Sequence, residues 1–324
     1  MKVCRVFLLV AAAAMIISSE QAVADQPVDS LRTVNCADVA NKSTEGPLKV
    51  GDFVQDGRSA AMIQEPGESV TSDVLLENGS ASLTVRTEKD GTVVVENCGP
   101  DEIQGEEEEP VSTASRAGGQ FASISALGEC SDTAYNLHGW RWYSTYQWYF
   151  KQDTTPEGLS ATNVAVALEG GTQSITAARN TCGMADNIPA TQQYAGNTTA
   201  WANINSSGCL ASDGVNVTDF AGGPSGVLAQ TCTWESSPGT AAASDARFND
   251  SLFDWKPDGS GTCGERYVIR SVAAHERGHT FGIAHVGEGT HGNLTMSEAI
   301  GLCSDQEYWL GRGDVLGLRA RYGV

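Results

Sequence analysis

The chain has 324 residues, 40 acidic against 20 basic side chains, and a net charge of −20. That length holds one enzyme-sized domain and a smaller one, and 40% hydrophobic residues with 7 Trp exclude wholesale disorder. Such acidity argues against nucleic acid and anionic membrane as partners, because surfaces rich in phosphate repel it.

At the N-terminus, Lys2 and Arg5 precede a short apolar core, Val6 to Ile17, and Ala22-Val23-Ala24 supplies a small-residue cleavage pattern. The core is shorter than the ~20 residues needed to span a bilayer. Residues 1–24 therefore read as an export signal, and a secreted, extracellular protein without membrane insertion is expected. Its removal leaves Cys36, Cys98, Cys130, Cys182, Cys209, Cys232, Cys263 and Cys303. An even count in an exported chain favours disulfides over metal thiolates. Two of these cysteines precede residue 110 and six follow it, so each region can pair internally. Connectivity among the six stays open.

Alternating stretches such as Ser82-Leu83-Thr84-Val85-Arg86, with turn signals at Asn78-Gly79 and Asp90-Gly91, predict a small, acidic, β-rich unit over residues 25–105. Glu106 to Glu109, Pro110 and Ser112 to Ser115 mark a solvated linker over 106–127. A second domain then runs over 128–324. It opens on an aromatic-rich strand candidate, Trp140 to Phe150. Helical character over 158–180 is weakened in its middle by Gly170-Gly171. Gly226 to Cys232 reads as a short strand, 267–281 as a helix capped by Gly282, and 312–322 as a last helix.

The chemistry concentrates in residues 275–285, His-Glu-Arg-Gly-His-Thr-Phe-Gly-Ile-Ala-His. Residues four apart share a helix face, so His275 and His279 direct two imidazoles at one point. Gly282 permits the left-handed turn that returns His285 as a third ligand. Three nitrogens leave one tetrahedral position open, the arrangement of a catalytic zinc. Glu276 is offset around the helix, where it serves as general base toward a zinc-activated water. The chain has only five histidines, and three fall in this window, so scattered histidines satisfied by ordinary hydrogen bonds are a poor explanation. His138 and His291 are left over and are expected at the surface.

On these residues, with Met296 eleven positions after His285, the chain resembles the matrixin branch of the metzincin zinc peptidases over roughly residues 140–324. Asp219-Phe220-Ala221-Gly222-Gly223-Pro224-Ser225-Gly226-Val227-Leu228-Ala229 is similar to the family's loop and edge strand. Asp245 to Asp250 with Trp255, and Asp314 to Gly323, are similar to later family segments. The resemblance implies an α+β metzincin catalytic domain, with a twisted mixed sheet, an active-site helix and a C-terminal helix. It implies an endopeptidase acting on proteins or peptides in extended conformation, bound as an added strand along Leu228 and Ala229. It also makes Met296 a hydrophobic floor beneath the metal.

Several positions depart from the family. Gln230 and Arg247 stand where histidines of a second, structural zinc are expected, which leaves one zinc ion. Calcium in the loop holding Asp213 and Asp219 competes with ordinary turn chemistry there. Ser297 and Glu298 follow Met296, so the metal-facing Tyr of other branches is absent. Asn97-Cys98-Gly99-Pro100-Asp101 partly resembles the family's cysteine switch, but is one residue short and lacks its arginine. Cys98 and Asp101 are the latency residues this stretch offers, while parity favours a Cys36–Cys98 disulfide. The acidic region then remains able to inhibit by covering the cleft, with a carboxylate toward the metal. A monomer is expected. The alternative function is a catalytically silent secreted protein that keeps zinc for binding.

Overall fold

The computed structural model describes residues 32–98, 128–305 and 308–324. The export signal, the linker over 106–127 and Asp101 lie outside the described residues.

An eight-stranded mixed sheet organises this α+β fold. In chain order its strands are β1 (Ser69–Leu76), β2 (Gly79–Thr87), β3 (Val93–Glu96), β4 (Tyr146–Phe150), β5 (Gln192–Asn197), β6 (Asn216–Ala221), β7 (Val227–Ser237) and β8 (Thr240–Asn249). Across the sheet the order is β3-β2-β1-β7-β8-β6-β4-β5. The β8, β6, β4 and β5 strands pair in parallel, whereas β7 runs antiparallel to both β8 and β1. Strand β1 (SVTSDVLL) is buried along nearly its whole length, so it lacks the inside-outside alternation of a half-exposed strand.

Helix α1 (Ala161–Thr176) connects the parallel pair β4 and β5, and α2 (Ile269–Thr280) packs against it. The Gly170-Gly171 pair does not weaken α1. A Cβ on Gly171 would sit 2.7 Å from Ala273 Cβ, Ala274 N and Arg270 O. Glycine here lets the two helix backbones approach closely, a gain that outweighs its poor helix propensity. Helix α3 (Arg312–Tyr322) closes the chain with the expected bounds.

A second sheet joins Thr33–Asn35, Phe53–Asp56 and Ser59–Met62 to Gly208–Cys209 and Ile204–Asn205. Both sheets therefore mix strands from before residue 98 with strands from after residue 200. Beneath them, Val34, Val54, Leu83 and Val85 share one apolar cluster with Ile204, Val217, Trp234 and Ala243. The β-rich unit expected over 25–105 is thus not set apart, and Arg32–Val324 form one compact unit. Sequence patterning found the strands but not their partners.

Four disulfides are present: Cys36–Cys98, Cys130–Cys182, Cys209–Cys232 and Cys263–Cys303. Closing loops of this length restricts the unfolded chain by about 3–4 kcal/mol each in the chain-entropy account. None links residues 32–98 to residues 128–324. Among the described residues no helix is long and apolar enough to cross a membrane.

Candidate metal centre

Helix α2 carries His275 and His279 on one face, and the chain reverses immediately after it. Gly282 has φ 88°, and a Cβ there would run into the carbonyl oxygen of Trp140. Only glycine fits both constraints. The following strand, Ile283–Ala284, pairs antiparallel with Asn136–Leu137 and delivers His285 to the helix.

The three imidazoles meet at their Nε2 atoms. His275 lies 3.1 Å from His279 and from His285, and His279 lies 3.0 Å from His285. Hydrogen bonds on the far side of two rings fix their tautomers. His275 Nδ1 is 2.8 Å from Thr295 O, and His279 Nδ1 is 3.0 Å from Ile283 O. A carbonyl only accepts, so both Nδ1 atoms carry the proton and both Nε2 atoms present bare lone pairs. Two bare nitrogens 3.1 Å apart cannot hydrogen-bond to each other; a cation between them removes the repulsion. Burial, reinforced by His285, pushes His275 down to about 3. Burial likewise holds His279 well below its ordinary value, with Asp73 opposing. Neutral imidazoles are the form a divalent metal requires.

Glu276 is fully buried beside them. Its Oε2 accepts a 2.6 Å hydrogen bond from Thr231 Oγ1 of β7, while its Oε1 is buried without a hydrogen-bond partner. Burial pushes this carboxyl up to about 8, against the lowering effect of Thr231. No sequence pattern had marked Thr231.

Met296 is buried against the backbone of α2, where a Cβ on Gly278 would collide with its Sδ. The turn that carries it is anchored by Asp314 at the start of α3, which accepts from Thr295 N (2.9 Å), Met296 N (3.2 Å) and Gly311 N (2.8 Å). One carboxylate thereby holds the turn, and the turn's Thr295 carbonyl holds His275.

The other wall of the site departs from expectation. Leu228 and Ala229 are buried in β7, but β7 is not an edge strand, because β1 pairs along it on the side away from β8. The register sets Ala229 opposite Leu75, Gln230 opposite Val74 and Thr231 opposite Asp73. Asp73 is fully buried. Its Oδ1 accepts from Ser82 Oγ at 2.7 Å and lies 3.2 Å from His138 Nε2, a close pair without hydrogen-bond alignment. Its Oδ2 lies 3.9 Å from His279 Nδ1 and has no hydrogen-bond partner. Burial alone would raise this carboxyl, but His138 and His279 hold it well below the ordinary range. The signal available in sequence was one charged residue inside the run Ser69 to Leu76.

Both spare histidines are buried, contrary to expectation. His138 is 4% exposed and stacks on Trp140 at 4.3 Å, and His291 is 5% exposed with its Nδ1 2.8 Å from Asp132 Oδ2. Gln230 donates to Ser72 Oγ at 2.9 Å across the β1–β7 seam. Arg247 grips Asp219 through two bonds of 2.8 and 2.6 Å, and Asp219 also accepts from Ala202 N. Asp213 is exposed and accepts from Val215 N, as in a tight turn. Cys98 is tied to Cys36, so it has no thiol to offer a metal. No protein-family model matches the chain, and no curated protein matches it. What the site does is therefore read from its own residues.

Proposed function

We propose that this protein is a secreted zinc-dependent endopeptidase of matrixin-like, metzincin build, with His275, His279 and His285 holding one catalytic zinc. The observation that carries this reading is the meeting of three imidazole Nε2 atoms within 3.0–3.1 Å, two of them fixed as bare acceptors. Three imidazoles without a thiolate suit zinc in a site with an open position. The four disulfides agree with the oxidising compartment that export would bring.

When bound, the ion supplies a Lewis acid and a water acidified to a pKa near 7. The residues of the chain do the rest. Glu276 takes the proton of the attacking water and returns it to the leaving amine. Thr231 fixes the Glu276 carboxylate through Oε2, leaving Oε1 as the free basic atom. Strand β7 would offer its main chain to an extended substrate by strand addition only where β1 is displaced from it. Met296, seated on Gly278, keeps the floor of the site apolar and the helix fixed. A silent zinc-binding protein has no use for a buried carboxylate with one unpartnered oxygen beside two ligands.

The test is cleavage of an unstructured protein by the wild type and by Glu276→Ala, with and without a chelator, after the N-terminal region is displaced. Cleavage lost in the variant and under chelation, with zinc content unchanged in the variant, supports the assignment. Equal cleavage by both forms, or none by either, overturns it.

A further inference from the structure

Helix α1 and the segment leading into α2 enclose a cavity of about 610 Å³, a size typical of small-molecule sites. None of His275, Glu276, His279 or His285 lines it. Four of the chain's 20 basic residues do, namely Arg179, Lys256, Arg266 and Arg270, against two acidic ones, Glu169 and Asp258. In a chain of net charge −20 that local excess of cations runs against the average. Both acids are engaged nearby. Asp258 accepts from Ser260 N at 2.9 Å and Ser260 Oγ at 2.5 Å, and Glu169 accepts from Gln173 at 3.3 Å.

Arg270 is matched by a carboxylate, since it grips Asp305 through two bonds. The other three cations meet only neutral oxygens. Arg179 donates to Tyr308 Oη at 3.0 Å and to Gln173 Oε1 at 3.1 Å. Arg266 donates to the carbonyls of Cys263 at 2.8 Å and Thr262 at 3.1 Å. Lys256 is 4% exposed, and its Nζ donates to Ser260 O at 2.8 Å. An ammonium has three donors, and a buried charge without a counter-ion is costly. Among the described residues none of these three forms an ion pair. Their positions are fixed by the fold. Trp255–Lys256 pairs with Tyr267–Val268, the Cys263–Cys303 disulfide ties down the loop before Arg266, and Arg270 lies 4.2 Å over the Tyr308 ring. Preorganised donors cost little to order when a ligand arrives.

We propose that this cavity binds a small organic polyanion, one carrying two or more carboxylate or phosphate groups, with Lys256 and Arg179 as its main contacts. A guanidinium presents a planar fork to either group, and the buried ammonium supplies a point charge. The site uses no zinc ligand, so it stands or falls apart from the peptidase reading.

The experiment is calorimetric titration of the full chain with succinate and, separately, with inorganic phosphate at low ionic strength. One anion should bind saturably at one per chain, and which of the two binds tighter distinguishes carboxylate from phosphate ligands. Arg179→Gln and Lys256→Met should each weaken it about ten- to hundredfold, the usual worth of a charged hydrogen bond. The half-buried Arg179 decides if the Lys256 variant does not fold, as judged by circular dichroism. His275→Ala should bind the anion as the wild type does. Unchanged affinity in folded Arg179→Gln, no saturable binding of either anion, or binding lost in His275→Ala overturns the proposal.

Discussion

His279 belongs to two clusters that use similar residues to opposite ends. On its Nε2 side it meets His275 and His285, three imidazoles with no carboxylate among them. On its Nδ1 side it faces Asp73 and His138, where a carboxylate and an imidazole lie 3.2 Å apart. Both groups are buried and both bring three ligand-type side chains together. They differ in what is left unsatisfied. The first has converging lone pairs and calls for a cation, whereas the second already contains a carboxylate to meet its imidazole. Proximity of histidines and acids is thus a weak guide to a metal; the atom each ring has committed elsewhere decides.

Substitutions on the two sides of His279 sharpen that contrast. His275→Ala should reduce zinc from one per chain to near none by elemental analysis, with loss of all cleavage. At zinc a thousandfold above its dissociation constant, binding stabilises the fold by about 4 kcal/mol, so the variant should also melt earlier in zinc. His138→Ala should keep the zinc. If it loses the metal as fully as His275→Ala, the two clusters are one. Next in size, Glu276→Ala should retain zinc and lower kcat/KM about 10²- to 10⁴-fold, the usual range for a lost general base. A smaller drop would move the base elsewhere. In stability terms His138→Ala should cost about 3–5 kcal/mol, because it leaves Asp73 buried without its imidazole, and urea unfolding measures this. Gly278→Ala should cost about 1–3 kcal/mol by forcing Met296 from its seat. Its zinc affinity should fall less than its stability, since the ligating rings are untouched.

The two sides of His279 were not equally legible in the sequence. The metal side is local: helical spacing sets His275 and His279 on one face, and Gly282 marks the reversal that brings back His285. Residues 312–322 were equally local, a periodic run ended by Gly323. The Asp73 side depends on β1 finding β7 across more than 150 positions, and nothing in Ser69–Leu76 names that partner. The same gap explains the misplacement of His138 and His291, whose buried partners Asp73 and Asp132 are both distant in sequence. Gly171 was misjudged because its value lies in α2, a neighbour that local propensity does not see. Parity of cysteines, by contrast, carried Cys36–Cys98 without any geometry.

A third buried carboxylate gives the finest measure of what the histidines do for Asp73. Asp245 of β8 is also about fully buried, and it accepts from Asn203 N (2.6 Å) and Val217 N (2.7 Å). Burial pushes it up to about 8, the two backbone bonds opposing and the charges of Asp213 and Asp219 assisting. With imidazoles beside it, Asp73 goes the other way. The sign for stability follows from proton counts. Between its ordinary value of 3.8 and about 8, Asp245 is protonated when folded and ionised when unfolded. The folded state then binds more protons, so stability at this site falls as pH rises across that window, by up to about 1.4 kcal/mol per unit. Asp245→Asn removes the titration and should flatten the slope relative to the wild type, measured as the difference in urea midpoints between pH 5 and pH 8. An unchanged slope would mean that the two backbone donors alone keep Asp245 ionised. Burial without an imidazole beside it would then not be what separates it from Asp73.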